Sequence, residues 1–358
     1  MVSRLTQAKV GTSATRMQTY VDDPAFATKG TEQSRSDTIL LVLLWWNLIK
    51  LPLSWSKVQY GSSVNWIGAI IEASKLRVTT SITQPKLDKA LAQARQILSA
   101  PTAKKRELAS LAGTLGHVAG VIPTLWPFIR PLWAVLYDDG VSSLAPGLFH
   151  TLRIETNVKL FEDFLKDPQR LLARQYDRIT PALASSSWLR MAVDASPWGM
   201  GGVKWDEHWN PTEYFHAPIT QDDIRLLGVR VGESAFMPVL EALAILIAIR
   251  LWGQGHEVAF AVRSDALGAI QALTNLRSKN AGVNRVASEL ALDIVDKQFA
   301  PLRLTHIPGI SNILPDYLSR MLQPEAKSSR PPELDRARRV EPPARDLKWW
   351  RTLAFERA

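Results

Sequence analysis

Four acidic residues of this chain stand where carboxylates are either costly or poised for chemistry. Asp194 closes an alternating apolar run in WLRMAVDASPWGMGGVKW, Asp265 follows another in HEVAFAVRSDALGAI, and Asp316 lies in NILPDYLSR. Glu241 sits inside VLEALAILIAI, where every residue from Ala242 to Ile249 is apolar. A carboxylate on a buried helix is destabilising unless it is paired or coordinates a metal. No base lies within one helical turn of Glu241. The set therefore points to a shared divalent-cation site, because hard cations take clustered oxygen ligands. A second pair, Asp22 and Asp23 in QTYVDDPAFA, follows an extended Tyr-Val and precedes Pro24. It reads either as a solvated hairpin tip, since Asp-Asp-Pro is ordinary turn chemistry, or as another metal site.

The elements around these residues must bring them together. Residues 1–17 read as poorly structured, Tyr20 to Asp23 as strand and turn at Pro24, and 32–48 as a helix. LPLSWSKVQYGSSVNWIGAII reads as a hairpin, with Gly61 and the serine pair between two extended runs. Helical spacing follows Pro85, then helices broken at Pro123, Pro127 and Pro131, then another helix near 154–166. Beyond Trp188 the order is three strands, a long helix capped by Ser234, a strand, helices, a strand and a last helix. That order predicts an α/β fold in which helices cover a mixed sheet. Strand ends and helix starts on one sheet edge are where α/β sites gather, and Asp194, Asp265 and Asp316 all fall there.

Composition narrows the function classes. A chain of 358 residues with 46% hydrophobic content suits about two domains. The absence of cysteine excludes disulfide frameworks and thiolate chemistry, so a reducing compartment, cytoplasm or nucleus, fits. The N-terminus carries no secretory signal pattern. The apolar runs 38–51 and 239–252 are shorter than the ~20 residues of a membrane span, so both read as buried helices and no membrane partner is expected. Of the net charge of +9, Lys75–Glu107 holds eight bases against two acids, and 326–358 nine against five. Ser186–Leu322 holds twelve against fourteen. Basic segments flanking a slightly acidic body suit a polyanion held by one part and processed by another. For the proline-rich RPPELDRARRVEPPARDLKWW, a generic solvated surface is the alternative.

The order Asp194, Glu241, Asp265, Asp316, with the phrases VDASPWGMGGV, LEALAIL, RSDALGAI and HIPGISNILPDYLSR, resembles the type 1 RNase H domain fused to retrotransposon reverse transcriptases. Transposases and integrases of the same superfamily place the glutamate last. Proofreading exonucleases need an acid where this chain has Ser196. YVDD resembles the metal-binding turn of a reverse transcriptase palm, and LPLSWSKVQYGSSVNWIGAII the palm segment after it. The helices from Lys86 to Tyr137 resemble the thumb and connection of DIRS-like or Gypsy-like elements. This resemblance spans residues 20 to about 322. It implies a partial palm over 1–74, thumb and connection helices over 75–137, a connection or linker over 138–185, an RNase H-like domain over 186–322, and a basic proline-rich tail over 323–358.

The resemblance also implies two Mg²⁺ ions, with Mn²⁺ as a substitute, roughly 3.5–4 Å apart. Asp194 would bridge them, Glu241 and Asp265 would hold one and Asp316 the other, while Asp22 and Asp23 would be metal ligands of the palm. His306 would assist proton transfer or product release, histidine being the side-chain type suited to that near neutrality, or it is an ordinary core or surface histidine. Gly199, Gly201 and Gly202 would admit a nucleic-acid backbone or mark a strand bulge. Lys57, Trp66, Gly68, Lys104, Lys105, Arg106 and Asn312 would contact nucleic acid. The substrate would be the RNA strand of an RNA:DNA hybrid, told from DNA by its 2′-hydroxyls. A palm polymerase needs a further aspartate upstream of the turn, yet residues 1–19 hold no acid. The chain thus reads as a reverse transcriptase truncated in the palm, with a complete RNase H domain and no primer extension of its own. The alternatives are a non-catalytic nucleic-acid-binding protein and a structural subunit associated with a full-length reverse transcriptase.

Overall fold

The computed structural model describes residues 2–138, 144–166, 173–177, 189–253, 260–296, 302–325 and 329–353. These form two compact units: Met1–Thr83 with Gln175–Arg178, and Gln84–Arg174 with Ile179–Ala358.

In the first unit the N-terminus is ordered, contrary to expectation. Helix α1 (Val2–Val10) packs on a ribbon of β1 (Thr15–Tyr20) and β2 (Asp23–Thr28). The Gln7 amide fixes it, donating to Thr15 O at 3.0 Å and accepting from the Met17 N–H at 2.7 Å. Tyr20 pairs with Asp23, so the turn is Val21-Asp22 and Pro24 lies in the second strand. A proline is tolerated on such an edge because its missing N–H breaks no interior ladder bond. Val21 takes φ 55°, a strained value for a β-branched residue.

Helix α2 (Glu32–Leu48) begins where the Thr31 hydroxyl accepts from Ser34 N–H. It was expected to be buried, but only Val42 and Trp46 are, and Leu40, Leu44 and Leu48 are exposed. Among the described residues of this unit, α1 and the ribbon cover one side of it, through Thr6 to Trp46 and Phe26 to Trp46. A sheet of β3 (Ser63–Trp66), β4 (Ala69–Ala73), β5 (Arg77–Ile82) and β8 (Ala173–Asp177) completes the unit. Its hairpin turns at Ile67-Gly68, with φ 47° and 83°, the positive pair that a type I′ turn requires, and not at Gly61.

The second unit holds α3 (Gln84–Leu98), α4 (Lys105–Val121), α5 (Trp126–Leu136) and α6 (Leu152–Lys166), with a two-stranded ribbon of β6 (Thr102–Lys104) and β7 (Leu148–His150). Leu108, Leu111, Ile129, Phe161 and Phe164 are fully buried among them. Only Pro123 ends a helix. Pro127 opens α5, where its missing N–H is harmless, and Pro131 is carried inside it. Pro131 cannot bond the carbonyl four residues back, and that carbonyl, Pro127 O, instead accepts from the Asn284 amide at 2.9 Å. That bond ties these helices to the sheet layers within one compact unit.

The sheet runs β13-β12-β9-β10-β11-β14. Strands β9 (Leu189–Ser196), β10 (Gly199–Trp205) and β11 (Pro211–Pro218) form an antiparallel meander. β12 (Phe260–Ser264) and β13 (Leu302–His306) extend it in parallel beside β9, and β14 (Arg338–Arg339) lies parallel to β11. After the short α7 (Gln221–Leu227), α8 (Met237–Ala248) packs against β9, β10 and β12, backed by α9 (Leu267–Thr274) and α10 (Ala281–Val295). α11 (Ile313–Arg320) packs against β9, β10 and β11. This is the expected RNase H-like α/β class, with the elements in the expected order. Ser234 does not cap α8. It opens a 3-10 turn, and Pro238 supplies the helix start. The continuous helical run Ser234–Gly253 is 20 residues long, long and apolar enough to cross a membrane, but 67% of it is buried inside the protein as a core helix.

The β10 glycines serve packing, not access. A Cβ on Gly201 would lie 2.5 Å from Leu318 Cβ and 2.6 Å from Ser319 N, and one on Gly202 would lie 2.4 Å from the Phe215 ring. All three glycines are buried, and the β9–β10 register is unbroken, so neither a nucleic-acid backbone nor a bulge explains them. The absent side chains of Gly199 and Gly201 let α11 press directly onto β10, while Gly202 leaves room for the Phe215 ring.

Nor are residues 329–353 a solvated tail. Leu334 joins Val203, Tyr214 and Leu318 in a buried cluster. Arg345 is buried against Asp223, and Trp350 is 0% exposed.

Candidate metal centre

On β9 the period-two alternation places Arg190, Ala192 and Asp194 on the face that α11 covers in part. Asp194 pairs with Gly201, the point of closest approach of α11. Glu241 reaches the same edge from α8 on the opposite face, and Asp265 follows the end of β12. One carboxylate oxygen from each of Asp194, Glu241 and Asp265 lies within 4.8 Å of the other two.

The neighbours orient this trio. Ser319 Oγ lies 2.7 Å from Asp194 Oδ2 and 2.9 Å from Asp316 O, and its single proton can serve one of them at a time. Asn312 is 1% exposed; its amide donates to Val193 O at 3.0 Å and lies 3.4 Å from both Asp194 Oδ1 and Asp265 Oδ1. Asn312 therefore holds the carboxylates from inside and is not placed at a nucleic-acid surface. Glu241 Oε2 and Asn312 Oδ1 are buried without a hydrogen-bond partner. Such acceptors are costly to leave unpaired. Hard oxygen donors, two of them unsatisfied, fit a hard divalent cation.

The electrostatics agree. Burial pushes Asp194 up to about 7; the charges of Asp265 and Asp316 add to this, while the Ser319 hydrogen bond and Arg320 oppose it. Burial pushes Glu241 up to about 9, reinforced by Asp194 and Asp265. A folded-state value above the unfolded one means that the native state binds more protons. Without metal, the contribution of these two groups to stability is thus fully present below the unfolded range near 4 and is lost as pH rises towards those raised values. Between pH 7 and 9, where Glu241 contributes most, metal-free protein should lose on the order of 1 kcal/mol per pH unit. Thermal melts in chelator across that window check this, with Glu241→Gln expected to flatten the slope. A wild-type slope of zero would contradict it.

The other expected residues fall as follows. Asp316, in the first turn of α11, is not in the trio: its carboxylate accepts from Arg320 Nε at 2.7 Å and is 44% exposed. Its charge nevertheless bears on Asp194 and Glu241. His306 is exposed at the end of β13, in register with Ser264. Asp22 and Asp23 are exposed at the ribbon turn of the first unit, where Asp23 O accepts from Trp66 Nε1 at 3.0 Å. Lys57, Lys104 and Arg106 are exposed, and Lys105 Nζ donates to Asp138 O at 2.9 Å. Gly68 supplies the turn conformation described above. Ser319 was not anticipated. Its signal was available, three residues after Asp316 and so on the same helix side.

No protein-family model matches the chain, and no curated protein matches it. Among solved structures it is similar to RNase H1 of the halophilic archaeon Halobacterium salinarum, at 17% identity and TM-score 0.27, over 37% of this chain and 94% of that one. It is also similar to the foamy viral protease-reverse transcriptase in complex with dsDNA, at 17% identity and TM-score 0.35, over 86% of this chain and 58% of that one. For the same viral protein with an RNA/DNA hybrid the values are 11%, 0.29, 87% and 59%. The chain thus spans a little over half the length of those viral chains. The fold assignment rests on strand order and direction.

Proposed function

We propose that this chain is a metal-dependent endonuclease that cleaves the RNA strand of RNA:DNA hybrids, and that it derives from a retroelement reverse transcriptase. In this reading residues 1–74 are palm-derived, and the thumb-derived helices share a compact unit with the nuclease. The observation that carries the reading is the trio of buried Asp194 and Glu241 with half-buried Asp265, an oxygen of Glu241 being left unpaired. A divalent cation held there by these carboxylates would offset their repulsion and supply Lewis-acid activation of a phosphodiester. Ser319 and Asn312 fix the rotamer of Asp194, so little reorganisation is required on binding. The raised value of Glu241 means that its proton must leave before it can act as a ligand. Asp316, paired to Arg320 at the exposed rim, can swing inward without breaking a buried contact. His306, exposed on the neighbouring strand, can exchange protons with solvent.

The test uses the full chain with labelled substrates. With Mg²⁺ or Mn²⁺, the RNA strand of a hybrid should be cut, single-stranded RNA and duplex DNA should stay largely intact, and chelator should stop the reaction. Hybrid binding without cleavage under both metals would favour the non-catalytic alternative.

A further inference from the structure

The face of the sheet that α11 covers is only half covered. α11 lies over β9, β10 and β11, while the outer part of that face, towards β12 and β13, has no helix among the described residues. The register aligns Arg190, Ala261 and Arg303 across three strands, and Ala192, Arg263 and Thr305 one step nearer the carboxylates. Directly paired residues share a face, so Arg190, Arg263 and Arg303 all point to this open side. Arg263 precedes Asp265 by two residues, about 7 Å along a strand, which sets the arginine row beside the trio.

Trp209 reaches onto this row from the β10–β11 loop. The Arg190 and Arg263 guanidinium carbons lie 4.6 and 4.2 Å from its ring centroid. Its backbone φ is 64°, strained for a bulky residue, and its side chain is 46% exposed. The loop does not yield to relieve the strain, because Asp206 Oδ1 accepts the N–H groups of His208 and Asn210 at 2.9 and 2.8 Å. Strain retained in a bolted loop marks a conformation with a use. Arg263 and Arg303 have no carboxylate partner among the described residues. Arg190 donates to Asp206 O at 3.2 Å and Glu207 O at 2.6 Å, and none of the three guanidiniums forms an ion pair with a carboxylate among the described residues.

We propose that Arg190, Arg263, Arg303 and Trp209 form a docking surface for single-stranded nucleic acid, with the arginines on successive phosphates and an unpaired base stacked on Trp209. Charge complementarity selects a polyanion, and a partly exposed indole set among guanidiniums has the composition of the stacking platforms of single-strand binders. A duplex offers no free base face to it, so the single strand is the occupant. The surface does not depend on whether the trio cuts.

The experiment is fluorescence anisotropy of the full chain in chelator with labelled dT12, rU12 and a blunt hybrid, over a range of salt. Trp209→Ala should weaken single-strand binding about tenfold and leave the blunt hybrid unchanged, and Trp209→Phe should restore most of it. The double variant Arg263→Ala with Arg303→Ala should lower the single-strand salt slope by about 1.4, two contacts at about 0.7 each. Thermal melts of each variant establish that it is folded. Unchanged binding in both variants, equal losses on the hybrid, or loss only on replacing Lys104, Lys105 and Arg106 would each overturn the proposal.

Discussion

Replacing Asp194 with asparagine should abolish the proposed cleavage activity and at the same time make the metal-free protein more stable. Both effects have one origin. Asp194 is buried, is pushed up to about 7, and shares a 4.8 Å cluster with Glu241 and Asp265. Removing its charge relieves like-charge repulsion that the fold otherwise carries, and the asparagine oxygen can still accept from Ser319. Without a cation the variant should therefore melt higher than wild type, most clearly at pH 8. With Mg²⁺ the order should narrow or reverse, since the variant has lost a ligand charge. Cleavage of a hybrid should fall by about a hundred- to a thousandfold, the scale of losing one preorganised electrostatic element. A variant that cuts normally would remove the trio from the chemistry. One that loses activity and also stability without metal would show that Asp194 is held by contacts and not strained by charge.

Why the trio was legible while its support was not is a matter of cost. A glutamate in the middle of VLEALAILIAI is a conspicuous anomaly, and only a short menu of chemistry resolves it. Asp194 and Asp265 could be placed because strand alternation ends at them. Ser319 and Asn312 are small polar residues that suit many sites, and their aim at Asp194 depends on how closely α11 approaches β10. That approach is set by Gly201, whose meaning is invisible until the helix is in place. Similarly, Val21 and Asp22 form the ribbon turn because Tyr20 pairs with Asp23, a register that local turn propensity at Pro24 did not disclose. The exposed α2 shows the converse error. Its apolar run implied burial, but composition does not say whether a covering surface is present.

The segment 329–353 was the largest misreading, and it leads to the second strong prediction. Its bases look solvated in sequence because their partners lie far away along the chain. Arg250, at the end of the α8 helical run, donates to Asp293 at 2.7 Å and Glu289 at 2.8 Å, and also to Trp349 O at 2.6 Å. Glu289 is 0% exposed, and its carboxylate also accepts from the backbone of Arg351 and from the backbone and hydroxyl of Thr352. Arg345 meets Asp223 through Nε at 2.9 Å, while Arg351 meets Asp293 at 3.0 Å. Deleting residues 329–358 would leave Asp223 and Glu289 buried with much of their compensation gone and would uncover the pocket of Trp350. Breaking a buried pair from one side costs about 3–5 kcal/mol, and the loss of a buried tryptophan about as much, against a total stability of about 5–15 kcal/mol. The shortened chain should therefore fail to fold cooperatively, and a fragment cut at the sequence-derived limits 186–322 should fare worse, having lost the Pro127 to Asn284 bond as well. Trp350→Ala in the full chain is the graded version, expected to lower the unfolding free energy by about 3–5 kcal/mol and the urea midpoint with it. Urea titrations followed by circular dichroism measure all three. A cooperative transition of unchanged midpoint for residues 1–328 would show that the strap rests on a body already complete without it.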